Sequence, residues 1–136
     1  MVMRYMLDTN ICIYLTKLHP PQVLKRLEAL AQSSAVMSVI THAGLRAGLE
    51  IQTTHREADE RVLAPLTSRI PVLAFTSTDA GTYGVLRAAV HDRSRNAMDR
   101  LIAAHALSTG VTVVTNNEAD FSGRHGLVVK NWACFV

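Results

Sequence analysis

The chain has 136 residues, of which 49% are hydrophobic, 18% charged and only 5% aromatic. That length supports a single domain over residues 1–136 with an aliphatic core, and the composition excludes a disordered or low-complexity polypeptide. A formal net charge of +3 leans towards an anionic partner without requiring one.

The first apolar run, Val2 to Leu7, is interrupted only by Arg4 and predicts a strand. It ends on Asp8, Thr9 and Asn10. Ile11, Tyr14, Leu15 and Leu18 recur at helical spacing, so a helix over 11–18 follows, capped by Thr9 or Asn10. His19-Pro20-Pro21 ends it. A second helix is expected from Pro21 to Gln32. Ala35 to Ile40 is almost continuously apolar and reads as a strand buried on both faces. Thr41 is expected to cap a helix from His42 to about Thr53, and another helix is expected from about Thr54 to Ile70, with Pro65 in its middle.

Val72 to Phe75 reads as the third strand. Thr76 to Asp79 caps a helix from Ala80 to about His91. Asp92 to Arg95 is a basic turn. Residues 97–109 form a further helix, stopped by Gly110. Val111 to Thr115 is the fourth strand, with a loop from Asn116, and Leu127 to Trp132 is a closing edge strand. Strands alternate with helices throughout. The expected class is therefore α/β, with a mainly parallel sheet of four or five strands flanked by helices.

Cys12 and Cys134 show no Cys-x-x-Cys spacing, which argues against a zinc cluster and for reduced thiols. The N-terminus has no basic region followed by a long apolar core, and no run reaches membrane-spanning length. A cytoplasmic chain without membrane contact is expected.

Carboxylates and amides gather at comparable places in this pattern. Asp8 follows the first strand, Asp99 sits in the first turn of the helix over 97–109, and Asn116, Asn117 and Asp120 follow the fourth strand. The chain has only 11 acidic residues. Bringing three of them to one sheet edge costs electrostatic energy unless a divalent cation holds them, and hard oxygen donors suit Mg²⁺ or Mn²⁺. Each residue also has an ordinary use. Asp8 serves equally as a helix cap, Asp99 as a partner for the helix dipole, and Asp120 as a solvated loop residue. His105 shares a face with Leu101 and Ile102 and reads as a core histidine. Arg93, Arg95 and Arg100 form either a solvated basic turn or a set of phosphate contacts.

Four stretches carry a resemblance. They are Met6-Leu7-Asp8-Thr9-Asn10, residues 38–48 from Ser38 to Gly48, residues 98–107 from Met98 to Leu107, and residues 113–121 from Val113 to Phe121. In this order and spacing they resemble the PIN-domain family, specifically the VapC toxins of bacterial toxin–antitoxin pairs. The resemblance runs from end to end. It implies an endoribonuclease dependent on Mg²⁺ or Mn²⁺. Asp8 and Asp99 match the family's metal-holding carboxylates. Asp120 matches the later acidic position, and Thr9 and Asn116 would support the cluster through hydrogen bonds. The implied partners are a VapB-type antitoxin and a second copy of the chain. The implied substrate is tRNA, with the initiator tRNA anticodon loop as the expected target.

One position departs from the family pattern. The second stretch usually reads Thr-x-x-Glu-Leu, whereas this chain has Thr41-His42-Ala43-Gly44-Leu45. Glycine offers no ligand and no base, and it disfavours a helix interior by about 1 kcal/mol relative to alanine. Glu50, six residues on, points to another side of a helix. Either Gly44 is an engineered or selected change that disarms a toxin so that it can be produced, or the protein is naturally impaired and retained as a binding module for RNA or antitoxin. Disarming is preferred, because a glutamate-to-glycine change is a single loss that leaves the rest of the motif intact. Asn96 lies three residues before Asp99, on the same helix side, and is expected to be a hydrogen-bonding neighbour. A haloacid-dehalogenase-like phosphatase is set aside because Asn10 stands where its second aspartate would be. A nucleotide-binding fold is set aside because no glycine-rich loop follows the first strand.

Overall fold

The structure is a computed structural model and describes residues 2–51, 54–89, 97–121 and 126–133. Five strands form one sheet in the order β3-β2-β1-β4-β5. They are β1 (Tyr5–Leu7), β2 (Ala35–Ser38), β3 (Val72–Leu73), β4 (Thr112–Val114) and β5 (Val129–Lys130). Every pairing is parallel, with Met6 opposite both Val36 and Val113, Met37 opposite Val72, and Val113 opposite Val129. The expected α/β class with a parallel sheet is what the chain forms.

The helices are α1 (Thr9–Lys17), α2 (Pro21–Glu28), α3 (Val39–Ile51), α4 (Arg56–Arg69), α5 (Ser77–Ala88), α6 (Ala97–Thr109) and α7 (Glu118–Phe121). Strand alternation divides the core. Leu7, Met37 and Val114 face one layer with Ile11, Leu15 and Leu63. Met6, Val36 and Val113 face the other, with Ile102, Ala103 and Phe121. A sheet buried on both faces explains why its strands read as unbroken apolar runs.

The strands are shorter than their apolar runs, and two helix starts move. Asp8, not Thr9 or Asn10, caps α1, its side chain accepting the Ile11 N–H. The α3 helix begins at Val39 rather than after Thr41, because the Ser38 hydroxyl accepts the Ile40 N–H at 3.0 Å. Thr41 is therefore a buried residue inside the first turn. Similarly, α5 begins at Ser77 with Thr76 as cap, and Asp79 closes a reciprocal capping box rather than preceding the helix. Pro65 lies within a continuous α4. Gly110 ends α6 with a φ of 80°, a backbone state that glycine adopts without strain. The loop expected from Asn116 contains the short helix α7, so Asp120 is helical.

The chain runs from β1 outwards through β2 to β3, then crosses back to β4 on the other side of β1. The strand order reverses between β1 and β4. In open parallel sheets the crevice beyond the carboxyl ends of the strands at such a reversal is where ligands bind.

Candidate active site

Asp8 and Thr115 follow directly on the two strands that flank this reversal. Asp8 is 3% exposed. Its backbone N–H donates to the Val114 carbonyl, which fixes β1 against β4 at the crevice. Its Oδ1 accepts the Ile11 N–H at 3.0 Å, and the Thr115 hydroxyl donates to the same carboxylate. Burial pushes the carboxyl up to about 6, and the charge of Asp99 adds to that rise. The hydrogen bonds from Thr115, Ile11 and Asn10 work against it. Burial, and behind it the charge of Asp8, also raises the Cys12 thiol.

Asp99 lies in the first turn of α6. Its repulsion of Asp8 brings the two carboxylates predicted from sequence into one electrostatic neighbourhood. A side chain at Gly44 would point to the same place. A Cβ built there lies 3.5 Å from the Met98 methyl carbon and 3.6 and 3.8 Å from the Thr9 Cγ2 and Oγ1. These are the residues adjoining Asp99 and Asp8, and the distances are ordinary contacts. The backbone thus presents position 44 to the residues beside Asp8 and Asp99, and a Cβ there fits without a clash.

The sequence-predicted supporting residues divide. Thr9 lies between Asp8 and Gly44. Asn116 is committed elsewhere: its Oδ1 accepts from Asn10 Nδ2 at 3.3 Å, and its Nδ2 donates to the Tyr14 hydroxyl at 2.6 Å. It braces α1 against the end of β4, and the hydroxyl that supports Asp8 comes from Thr115. Arg100 is 3% exposed and has interactions within the fold, so it is withdrawn from the surface expected to meet RNA phosphates. Arg93, Arg95 and Asn96 lie outside the described residues. Asp120 is placed by its backbone in α7, and its side chain lies outside the description. Glu50 pairs with Arg56 at 2.6 Å on the surface, away from the cluster as its helical offset predicts.

Sequence reading missed Tyr14, whose place on the apolar face of α1 concealed the use of its hydroxyl. It also missed Thr115, which reads as the last residue of a strand. His105 is a satisfied core residue, as expected. Its Nδ1 lies 2.7 Å from the Ser38 Oγ, and its Nε2 is 3.5 Å from Asp79.

The donors suit a hard divalent cation. The raised Asp8 carboxyl is a group whose charge a cation would stabilise, and position 44 is where the chain could carry a further ligand. The Thr41 hydroxyl, one helical turn before Gly44, is buried and has no hydrogen-bond partner among the described residues. Asp8 and Asp99 are the residues that would hold the ion. Among the described residues no three His, Cys, Asp or Glu side chains gather as a metal-binding group.

Residues 5–123 match the PIN domain. The chain is 34% identical over 133 residues to "Ribonuclease VapC2" of Rickettsia felis, spanning 96% of this chain and 98% of that one. It is 34% identical over 134 residues to "tRNA(fMet)-specific endonuclease VapC" of Shigella flexneri, spanning 97% and 100%. Among solved structures, VapBC2 of Rickettsia felis bound to a promoter DNA fragment superposes with a TM-score of 0.86 at 32% identity, covering 96% of this chain and 99% of that one. DNA-bound VapBC of Salmonella typhimurium gives 0.87 at 32% identity, with the same coverage. Matched nearly end to end in sequence and fold, the chain belongs to the PIN-domain family and, within it, to the VapC group.

Proposed function

We propose that the chain is the toxin of a toxin–antitoxin pair and an endoribonuclease dependent on Mg²⁺ or Mn²⁺, impaired by glycine at position 44. The observation that carries this reading is the convergence of Asp8, Asp99 and position 44 at the crevice of the strand-order reversal. The names of the VapC relatives support ribonuclease activity, and the Shigella flexneri relative supports initiator tRNA as substrate. The VapBC complexes support a VapB-type antitoxin as partner. A homodimer and a cytoplasmic location belong to the same reading. Among the described residues no helix is long and apolar enough to cross a membrane.

Asp8 and Asp99 would hold a divalent cation, which would supply charge neutralisation at a phosphate and lower the pKa of a bound water. The protein contributes orientation. Ile11 N–H and the Thr115 hydroxyl hold the Asp8 carboxylate in one rotamer, and α6 delivers Asp99 to it. The Asn10–Asn116–Tyr14 chain fixes α1 against β4, so the Asp8 cap does not drift. Asp120 would extend the acidic cluster, and Arg93 and Arg95 would meet the RNA phosphates.

The test is Gly44→Glu. Its cleavage of a tRNA panel in Mg²⁺ is expected to exceed that of the natural chain by at least about 100-fold, the usual scale on which one group acting in the transition state matters. Its expression without antitoxin is expected to stop growth. The second reading, a module that binds RNA or antitoxin without turnover, is favoured by glycine at position 44, which offers neither ligand nor base. It predicts that Gly44→Glu cleaves no better than the natural chain.

A further inference from the structure

Two contacts tie α3 to α6. At the start of α3, the Ser38 Oγ lies 2.7 Å from His105 Nδ1. Further along, a Cβ at position 44 lies 3.5 Å from the Met98 methyl carbon. Position 44 stands six residues after Ser38, whereas Met98 stands seven residues before His105. The two helices therefore run in opposite senses where they meet. At 1.5 Å of rise per residue the contacts are about 9–10 Å apart along either helix. A methyl against a Cβ has no preferred direction, but a hydrogen bond has one. Sliding α3 along α6 would break the polar contact and carry position 44 away from Met98 and its neighbour Asp99.

The polar contact also has a defined sense. Burial holds His105 below its ordinary value, so at neutral pH the ring carries one N–H. Its Nε2 faces Asp79 at 3.5 Å. That carboxylate is held below the carboxylate norm, so it is ionised and only accepts. It already takes the Thr76 N–H at 2.7 Å and the Thr76 hydroxyl at 3.0 Å. The Ala74 carbonyl beside the ring is likewise only an acceptor. The ring proton belongs on Nε2, which leaves Nδ1 to accept from the Ser38 hydroxyl. The Ser38 oxygen in turn accepts the Ile40 N–H at 3.0 Å. Phe75 stands edge-on to the ring, with centroids 5.3 Å apart, and fixes its plane. Ser38, His105 and Asp79 are all buried, so each group in this chain orients the next. We propose that His105 is a positioning residue: through Ser38 it sets the register of α3 on α6 and so holds position 44 beside Asp99. Its bearing on the reaction rests on the reading of position 44 as part of the site.

The experiment is NMR on the full chain without metal. A long-range proton–nitrogen correlation is expected to show His105 with a protonated Nε2 and a bare Nδ1. In Gly44→Ala the introduced methyl is expected to give a nuclear Overhauser effect to the Met98 methyl. Adding His105→Asn keeps an acceptor near the Nδ1 position and should preserve that effect. Adding His105→Gln keeps a polar group only near the Nε2 position and should abolish it. The Ile40 amide, measured against the Val113 amide of the sheet, should exchange about 10-fold faster in His105→Gln and stay near the natural rate in His105→Asn. Circular dichroism melts show which variants fold. Should either histidine variant unfold, Ser38→Ala in the Gly44→Ala background carries the same test and should lose the methyl contact. A protonated Nδ1 overturns the proposal, as does a methyl contact that survives His105→Gln or Ser38→Ala, or one that both histidine variants lose alike. A Mn²⁺ titration of Gly44→Glu separates the two readings. No Mn²⁺ binding alongside the expected NMR results removes the metal site and leaves the register role of His105 standing.

Discussion

The Asp8 carboxylate caps α1 and is buried beside the charge of Asp99, so its ionisation is opposed in the metal-free protein. Its folded value of about 6 stands above the ordinary 3.8. Between those values the folded chain holds a proton that the unfolded chain has released. The stabilisation is complete below 3.8 and is lost as pH rises through 6. At pH 7.5 the charged carboxylate therefore costs about 3 kcal/mol relative to an unperturbed one. Asp8→Asn keeps a good cap and removes that cost. Without metal at pH 7.5 it is expected to melt about 5–10 °C above the natural chain, with the gap narrowing towards pH 4.5. Mg²⁺ should raise the melting temperature of the natural chain and leave Asp8→Asn where it is. Differential scanning calorimetry at the two pH values, with and without Mg²⁺, decides this. A variant that melts lower at pH 7.5 would show that Asp8 is paired rather than strained. The carboxylate itself was legible from sequence, because a strand delivering Asp-Thr-Asn into a helix is a local pattern. The commitment of Asn116 to Tyr14 was not legible, because it joins residues 102 positions apart.

Among elements, α3 shows where local pattern and tertiary context part. Thr41 looks like the cap because Ser38 to Ile40 continue an apolar strand. Ser38 takes that role because its hydroxyl is set at the end of β2 by two partners, the Ile40 N–H and His105 Nδ1. The latter is a contact from α6 that no local window contains. The cap region of α5 was readable because Thr76 to Asp79 is a run of capping residues, while the reciprocal bonds of Thr76 and Asp79 put the helix start at Ser77 instead of Ala80. The short α7 has too few residues for a periodicity to register.

The same buried network ties α3, α5 and α6 together. Burial pushes His105 below its ordinary value, against the opposing pull of Asp79 and the Ala74 carbonyl. Asp79 is itself raised by burial, but is held below the carboxylate norm by hydrogen bonds from Ser108 and Thr76 and by His105. Below the ordinary 6.5 of His105 the unfolded chain binds a proton that the folded chain resists, so this contribution is present above 6.5 and fades as pH falls. Ser38→Ala removes both a cap and the His105 partner. It is expected to lower stability by about 2 kcal/mol, seen as an earlier urea midpoint with an unchanged m-value. A loss below about 0.5 kcal/mol would mean that water replaces the hydroxyl.

At the scale of the whole molecule, the strand-order reversal places the acidic crevice, while in the proposed function a net charge of +3 has to bring an RNA to it. Those tasks fall to different residues. The parallel α/β class was legible from the alternation of apolar runs with helices, whereas which strand lies beside which is set by non-local packing. Electrostatic affinity should rest on cations outside the buried core, because Arg100 is interior. Arg93 and Arg95 are the sequence's candidates. RNA binding is thus expected to survive chelation of the metal, since phosphate contacts and metal ligands are separate sets. With EDTA present, the double variant Arg93→Ala, Arg95→Ala should bind tRNA more weakly. The slope of log affinity against log salt should fall by about 1 to 1.5, the loss of two phosphate contacts on single-stranded RNA. Gly44→Glu in the same assay should leave that slope unchanged. It adds a carboxylate at the crevice without removing a phosphate contact, so an altered slope there would place the RNA backbone on α3 instead. An unchanged slope in the double arginine variant would remove those arginines from the interface and leave the basic balance of the chain to act only as a diffuse field.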